Sequence, residues 1–228
     1  MKCVMIHGQS HEGSTCNIAR MLAKKLDAKM SEFFLPRDFN EFCLGCTVCF
    51  EKGQTHCPHY GKLEPIIKAM DEADVIILES PVYVYHATGA MKAFLDHLGC
   101  RWMAHRPEES MFKKQAVVIS TAAGAGMKST NKDMADSTFF WGCARTYKLG
   151  FAVRAVSWEG ISEKYRAKIE KKVTKTADKI KKRNGRAKPK FKTKLFFSIM
   201  RTLHKKVMNP ADTEYWKAKG WLDKKRPW

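Results

Sequence analysis

Short apolar runs separated by longer amphipathic segments recur along this chain, and no other feature limits its fold so sharply. The runs are KCVMIHG at the start, MSEFFL from Met30, DVIILES from Asp74, QAVVISTA from Gln115 and FAVRAVSW from Phe151. Between them lie CNIARMLAKKLDA, KLEPIIKAMDEA, AMKAFLDHLG and a segment from about 129 to 147, all of helical character. The order is therefore β-α-β-α-β-α-β-α-β. Stretches such as VIIL and AVVIS are apolar at consecutive positions, as strands are when a parallel sheet is covered on both faces. This predicts an α/β fold, a doubly wound open sheet of about five parallel strands. Its ligand site belongs at the carboxyl ends of the strands, near the switch in strand order.

The sheet and its helices do not use up the 228 residues. A helix from Ser162 to about Arg183 places Ile169, Val173, Ala177 and Ile180 on one stripe that can pack on the sheet. After the breaker NGRAKPK, Leu195, Phe196, Ile199, Met200, Leu203 and Val207 mark the apolar face of a further amphipathic helix. The expected division is a domain over 1–185 and a basic helical extension over 186–228. The extension can pack on the protein or a second subunit, cover the ligand pocket, or contact an anionic membrane surface. Most of the net charge of +19 lies after residue 160. A nucleic-acid-binding arm has little else to support it, because lysine-rich helix faces are usually solvated and the WKAKGWL context of Trp216 and Trp221 suits docking better than base stacking. No run approaches the roughly 20 apolar residues of a membrane span. The first residues lack the long apolar region of a signal peptide, so a cytoplasmic location with reduced thiols is expected.

Three loops follow the strands. GQSHEGSTCN enters the first helix, where backbone N–H groups and the helix dipole favour a phosphate, and Ser10, Ser14, Thr15 and Asn17 add hydroxyl and amide donors. The same residues also serve as an ordinary N-cap. SPVYVYHATG sets Pro81, Val82, Tyr83 and Val84 directly after the third strand, where a flat aromatic ligand can rest or the tyrosines can pack on the next helix. STAAGAG, with Thr121, Ala122, Gly124 and Gly126, lets the backbone approach a ring system.

Cys43, Cys46, Cys49 and Cys57 give C-x2-C-x2-C-x7-C, and the first three spacings suit thiolates converging on a [4Fe-4S] cluster. Four thiolates also suit zinc, and a disulfide within the loop is a further alternative. Cys3, Cys16, Cys100 and Cys143 are scattered and read as buried small hydrophobes.

Taken together, GQSHEGST, FCLGCTVCFEKGQTHCP, SPVYVYHATGAMKAFLDH and TAAGAG resemble the flavodoxin-like NAD(P)H-dependent FMN reductases and their iron-sulfur flavoprotein relatives, over about residues 1–155. The resemblance implies a flavodoxin-like sheet holding FMN. It assigns the phosphate to Ser10, Ser14, Thr15 and Asn17, the isoalloxazine ring to Pro81, Val82, Tyr83 and Val84, and the far side of the flavin to Thr121, Ala122, Gly124 and Gly126. NAD(P)H is then the co-substrate and a quinone, nitro compound, free flavin or ferric iron the acceptor. Tyr83, Tyr85 or His86 can supply a proton to the substrate or serve only in packing. A homodimer or tetramer is also implied. The alternative within the family is an electron carrier taking single electrons from ferredoxin through a cluster on the cysteine loop. Some relatives keep that loop without a metal, as a packed lid. One departure is that many relatives carry an SPR-type first loop, whereas here His11 follows the serine and no arginine is present.

Overall fold

The computed structural model describes residues 1–206 and 208–228. The chain runs β1 (Lys2–His7), α1 (Ser14–Leu26), β2 (Lys29–Phe34), a one-turn α2 (Val48–Glu51), α3 (Tyr60–Glu72), β3 (Val75–Pro81), α4 (Gly89–Asp96), β4 (Gln115–Ala122), α5 (Met127–Phe140), β5 (Arg145–Ala152), α6 (Glu163–Lys181), α7 (Phe191–His204) and α8 (Pro210–Ala218). All strand pairs are parallel, in the order β2-β1-β3-β4-β5. The expected doubly wound five-stranded sheet is thus present. Strand order reverses between β1 and β3, which opens a crevice beyond their carboxyl ends.

Alternation along the strands explains why VIIL and AVVIS are apolar throughout. Val4, Ile6, Ile76, Leu78 and Val118 face α3, α4 and α5, where Leu63, Ile66, Met91, Phe94 and Met134 meet them. Met5, Val75, Ile77, Val117 and Ile119 face the other way, against Ile18 and Leu22 of α1 and Ile169, Val173 and Ile180 of α6. Neither face of a central strand reaches water, so neither tolerates a polar residue without a partner. Cys3, Cys16, Cys100 and Cys143 are buried, as expected.

Two sequence expectations are corrected. The helix expected to about 147 ends at Phe140, and the fifth strand is Arg145–Ala152 instead of FAVRAVSW. Gly142 adopts φ +91, which turns the chain out of the helix, and β5 is an edge strand whose exposed Lys148 and half-buried neighbours hide its pattern. In α7 the buried side chains are Thr193, Phe197, Met200 and His204. Leu195 and Ile199 are each 47% exposed and Phe191 is 79% exposed; Val207 lies outside the described residues. The reason is a third core made with the chain's end. Phe197 stacks on Trp216 at 4.6 Å, His204 stacks on the same ring at 4.4 Å, and Trp221 closes against Phe197 at 5.5 Å. Met103 and Phe112 join this cluster, and Trp216 Nε1 donates to His105 O at 2.6 Å. Among the described residues no helix is long and apolar enough to cross a membrane.

Candidate functional site

The loops after β1, β3 and β4 meet around a cleft of about 220 Å³. Its first wall is the start of α1. Gly13 precedes the helix without a side-chain cap, and the first turn carries no acidic residue. The first intrahelical bond runs from Asn17 N to Gly13 O at 3.1 Å. The amides of Ser14, Thr15 and Cys16 therefore precede the hydrogen-bonded ladder, at the end of the helix where the dipole favours an anion. Ser14 and Thr15 line the cleft, with His11 nearby where the first loop lacks an arginine. Ser10 and Asn17 do not: the Ser10 hydroxyl donates to Leu35 O at 3.3 Å, and the Asn17 side-chain amide donates to Gly13 O at 3.1 Å. Those two residues shape the turn.

Pro81, Val82 and Tyr83 form the second wall. Val84 and Tyr85 take left-handed φ values of 47 and 66, so the loop doubles back and Tyr83 and His86 exchange two backbone hydrogen bonds of 3.0 Å. The turn leaves Val84 93% and Tyr85 64% exposed, outside the lining. Tyr83 Oη accepts from Gln9 Nε2 at 2.6 Å, which leaves its own proton free to donate. His86 sits away from the cleft, its Nδ1 3.0 Å from Asp133 Oδ2.

Thr121 and Ala122 form the third wall, and the Thr121 hydroxyl lies 2.8 Å from that of Thr15, tying the first and third loops together. Gly124 and Gly126 lie outside the lining. Gly126 nevertheless has a reason to be glycine: its φ is +96, and a Cβ there would approach Val82 Cγ1 to 2.5 Å. The third loop can press on the second only without that atom.

Sequence reasoning missed the floor of the cleft. Glu79, 1% exposed, closes it from below, with Oε1 2.7 Å from Nδ1 of buried His7. His7 stacks on Phe34 at 4.2 Å and turns Nε2 to within 3.5 Å of Glu32. Burial pushes the Glu79 carboxyl up, and His7 opposes that push. The available signal was a lone acid ending the apolar run VIIL.

A second, smaller cavity of about 70 Å³ is lined by all four loop cysteines together with His59 and His97. The four thiols are free, and left-handed Gly45 and Thr47 bend the chain between them. The Cys49 thiol is held down to about 6, chiefly by a hydrogen bond with buried Cys100 and with help from Arg106; the same contact raises Cys100. His59 Nδ1 lies 2.9 Å from His97 Nε2, and His97 Nδ1 donates to Ala93 O at 2.8 Å. Burial lowers His97. Neither histidine was anticipated, although His59 stands two residues after the last cysteine.

The family model described as NADPH-dependent FMN reductase matches residues 1–153. An iron-sulfur flavoprotein of Archaeoglobus fulgidus is 33% identical over 85 residues, which cover 37% of this chain and 36% of that protein. Another, from Methanocaldococcus jannaschii, is 43% identical over 54 residues, 24% of this chain and 27% of its own length. The chain thus matches about a third of the length of these curated relatives. Among solved structures, a flavone reductase shares the fold with a TM-score of 0.60 at 17% identity, covering 83% of this chain and 66% of that one.

Proposed function

The chain belongs to the NADPH-dependent FMN reductase family, and on that footing we propose that FMN lies across the carboxyl ends of β1, β3 and β4, is reduced there by NAD(P)H, and passes its electrons to a small acceptor. The acceptor class is a quinone, nitro compound, free flavin or ferric iron. One observation carries the reading: an uncapped helix start, free of acids and bearing two hydroxyls, opens into the same cleft as two strand-end loops at the switch point. That donor set fits a phosphate joined to a flat ring.

In this reading the amides at 14–16, with the hydroxyls of Ser14 and Thr15, hold the phosphate. Pro81, Val82 and Tyr83 lie along the ring on one side and Thr121 and Ala122 on the other. When bound, FMN supplies electron acceptance from a nicotinamide and onward transfer to the acceptor. The Tyr83 hydroxyl, oriented by Gln9, holds a proton at the mouth of the cleft. His86 lies further out, its Nδ1 against Asp133. Burial raises the Glu79 carboxyl, and its contact with His7 holds it in place at the cleft. The test is anaerobic mixing of the FMN-loaded chain with NADPH or NADH. Rapid bleaching of the flavin absorbance is expected; a flavin that dithionite bleaches and neither nucleotide does would overturn the reading.

A second reading has one observation in its favour, the four cysteines around a single cavity. Four free thiols are a donor set that fits a [4Fe-4S] cluster, and in that case ferredoxin would deliver electrons singly through the cysteine loop. Iron and sulfide analysis after anaerobic purification separates the two, since the first reading requires neither.

A further inference from the structure

The cysteine-lined cavity contains more than thiols. The Cys57 sulfur and one ring nitrogen each from His59 and His97 all lie within 4.8 Å of one another. We propose that these three side chains form a mononuclear site for a divalent ion of the zinc type, with a fourth coordination position open to the cavity. The proposal does not depend on the reduction of FMN by NAD(P)H, and it excludes the cluster of the second reading.

The geometry supports it in three ways. Metal–sulfur and metal–nitrogen bonds of about 2.3 and 2.0–2.1 Å place tetrahedral ligand atoms well inside such a separation, and the two ring nitrogens already stand 2.9 Å apart. Next, His97 has the orientation of a ligand: Nδ1–H donates to Ala93 O at 2.8 Å, which fixes the tautomer and turns the Nε2 lone pair toward His59 and Cys57. His97 is 5% exposed, so this arrangement is built into the core where α4 ends. Finally, His59 can exchange its Nδ1 proton for one on Nε2, which faces Glu41 Oε2 at 3.8 Å. Metal binding then releases one proton, from the Cys57 thiol, and leaves both imidazoles neutral.

One sulfur with two imidazoles is a borderline donor set that suits zinc and its analogue cobalt(II). A four-thiolate cubane has no use for either nitrogen, and both centres need Cys57. They are therefore exclusive. Cys43, Cys46 and Cys49 line the same cavity and are not among the three ligands.

The test strips metal from the full chain under reducing conditions and titrates it with Co²⁺, then Zn²⁺. One Co²⁺ per chain should bind with the strong visible bands of a tetrahedral site and a thiolate charge-transfer band, both removed by Zn²⁺. His97→Gln should weaken Co²⁺ binding at least about 100-fold, Cys57→Ser should abolish the charge-transfer band, and Cys43→Ser should change neither. FMN titration and thermal melting establish that each variant is folded; should His97→Gln fail to fold, His59→Gln carries the same expectation. The proposal is overturned by an absence of saturable Co²⁺ binding, by binding that survives in the folded histidine variants, or by binding lost in Cys43→Ser. A [4Fe-4S] cluster that His97→Gln leaves intact and Cys43→Ser removes overturns it equally.

Discussion

The two cavities are built from opposite materials. The strand-end cleft uses backbone amides, hydroxyls and small residues supplied by loops that leave β1, β3 and β4 directly. The cysteine cavity uses soft sulfur and nitrogen donors, brought together from the long excursion after β2 and from His97, 38 residues beyond its partner His59. A cleft of the first kind follows from the sheet, because helix N-termini and strand ends must converge at a switch point. A cavity of the second kind follows from particular side chains, and a few substitutions would erase it without disturbing the fold.

If that contrast is right, changes to backbone fit should fall hardest on the first cleft. Gly126→Val forces a Cβ against Val82, displaces that wall of the cleft and strains a left-handed residue by roughly 1–3 kcal/mol. FMN affinity should fall about 100-fold by fluorescence titration while Co²⁺ binding is kept. Next in size is Thr121→Val. It leaves the Thr15 hydroxyl without its 2.8 Å partner, a loss of about 1–3 kcal/mol for a buried polar group, and calorimetry should show FMN binding weakened about tenfold.

Glu79→Gln tests the floor. The folded carboxyl is raised by burial, so the folded chain holds this proton more tightly than the unfolded chain does. Its contribution to stability is fully present below the ordinary glutamate value of about 4.3 and is lost as pH rises through the raised one. The urea midpoint of the wild-type chain should therefore decline with rising pH over that window, with His7, His11 and Glu32 as the neighbouring titratable groups, and the glutamine variant should decline less. The smallest effect belongs to Cys46→Ser. The two cavities share no lining residue, so FMN affinity should change by no more than about twofold; a larger loss would mean that the cavities act as one site.

What the sequence disclosed divides along the same line. The sheet and the three loops were legible because burial on both faces writes itself into VIIL and AVVIS, and because strand-end loops of small residues are short and local. For Ser10 and Asn17, donor type alone cannot tell which side chain lines the cleft; in the structure they bond to Leu35 O and Gly13 O instead. The apolar face of α7 was misread because its partner, Trp216, lies on another element beyond it, and periodicity carries no information about which face a distant ring selects. His97 was missed for the same reason. Spacing finds ligands within a loop, and His97 belongs to the end of α4.

The central claim is that the start of α1 is a phosphate cradle within a flavin cleft, and paired fluorescence titrations of the full chain with FMN and with riboflavin test it most directly. Several hydrogen bonds to a charged group, each worth about 1.5–3 kcal/mol, predict saturation at one FMN per chain and riboflavin binding at least about 100-fold weaker. Equal affinity for the two flavins, or no change in FMN fluorescence at saturating protein, would contradict the account.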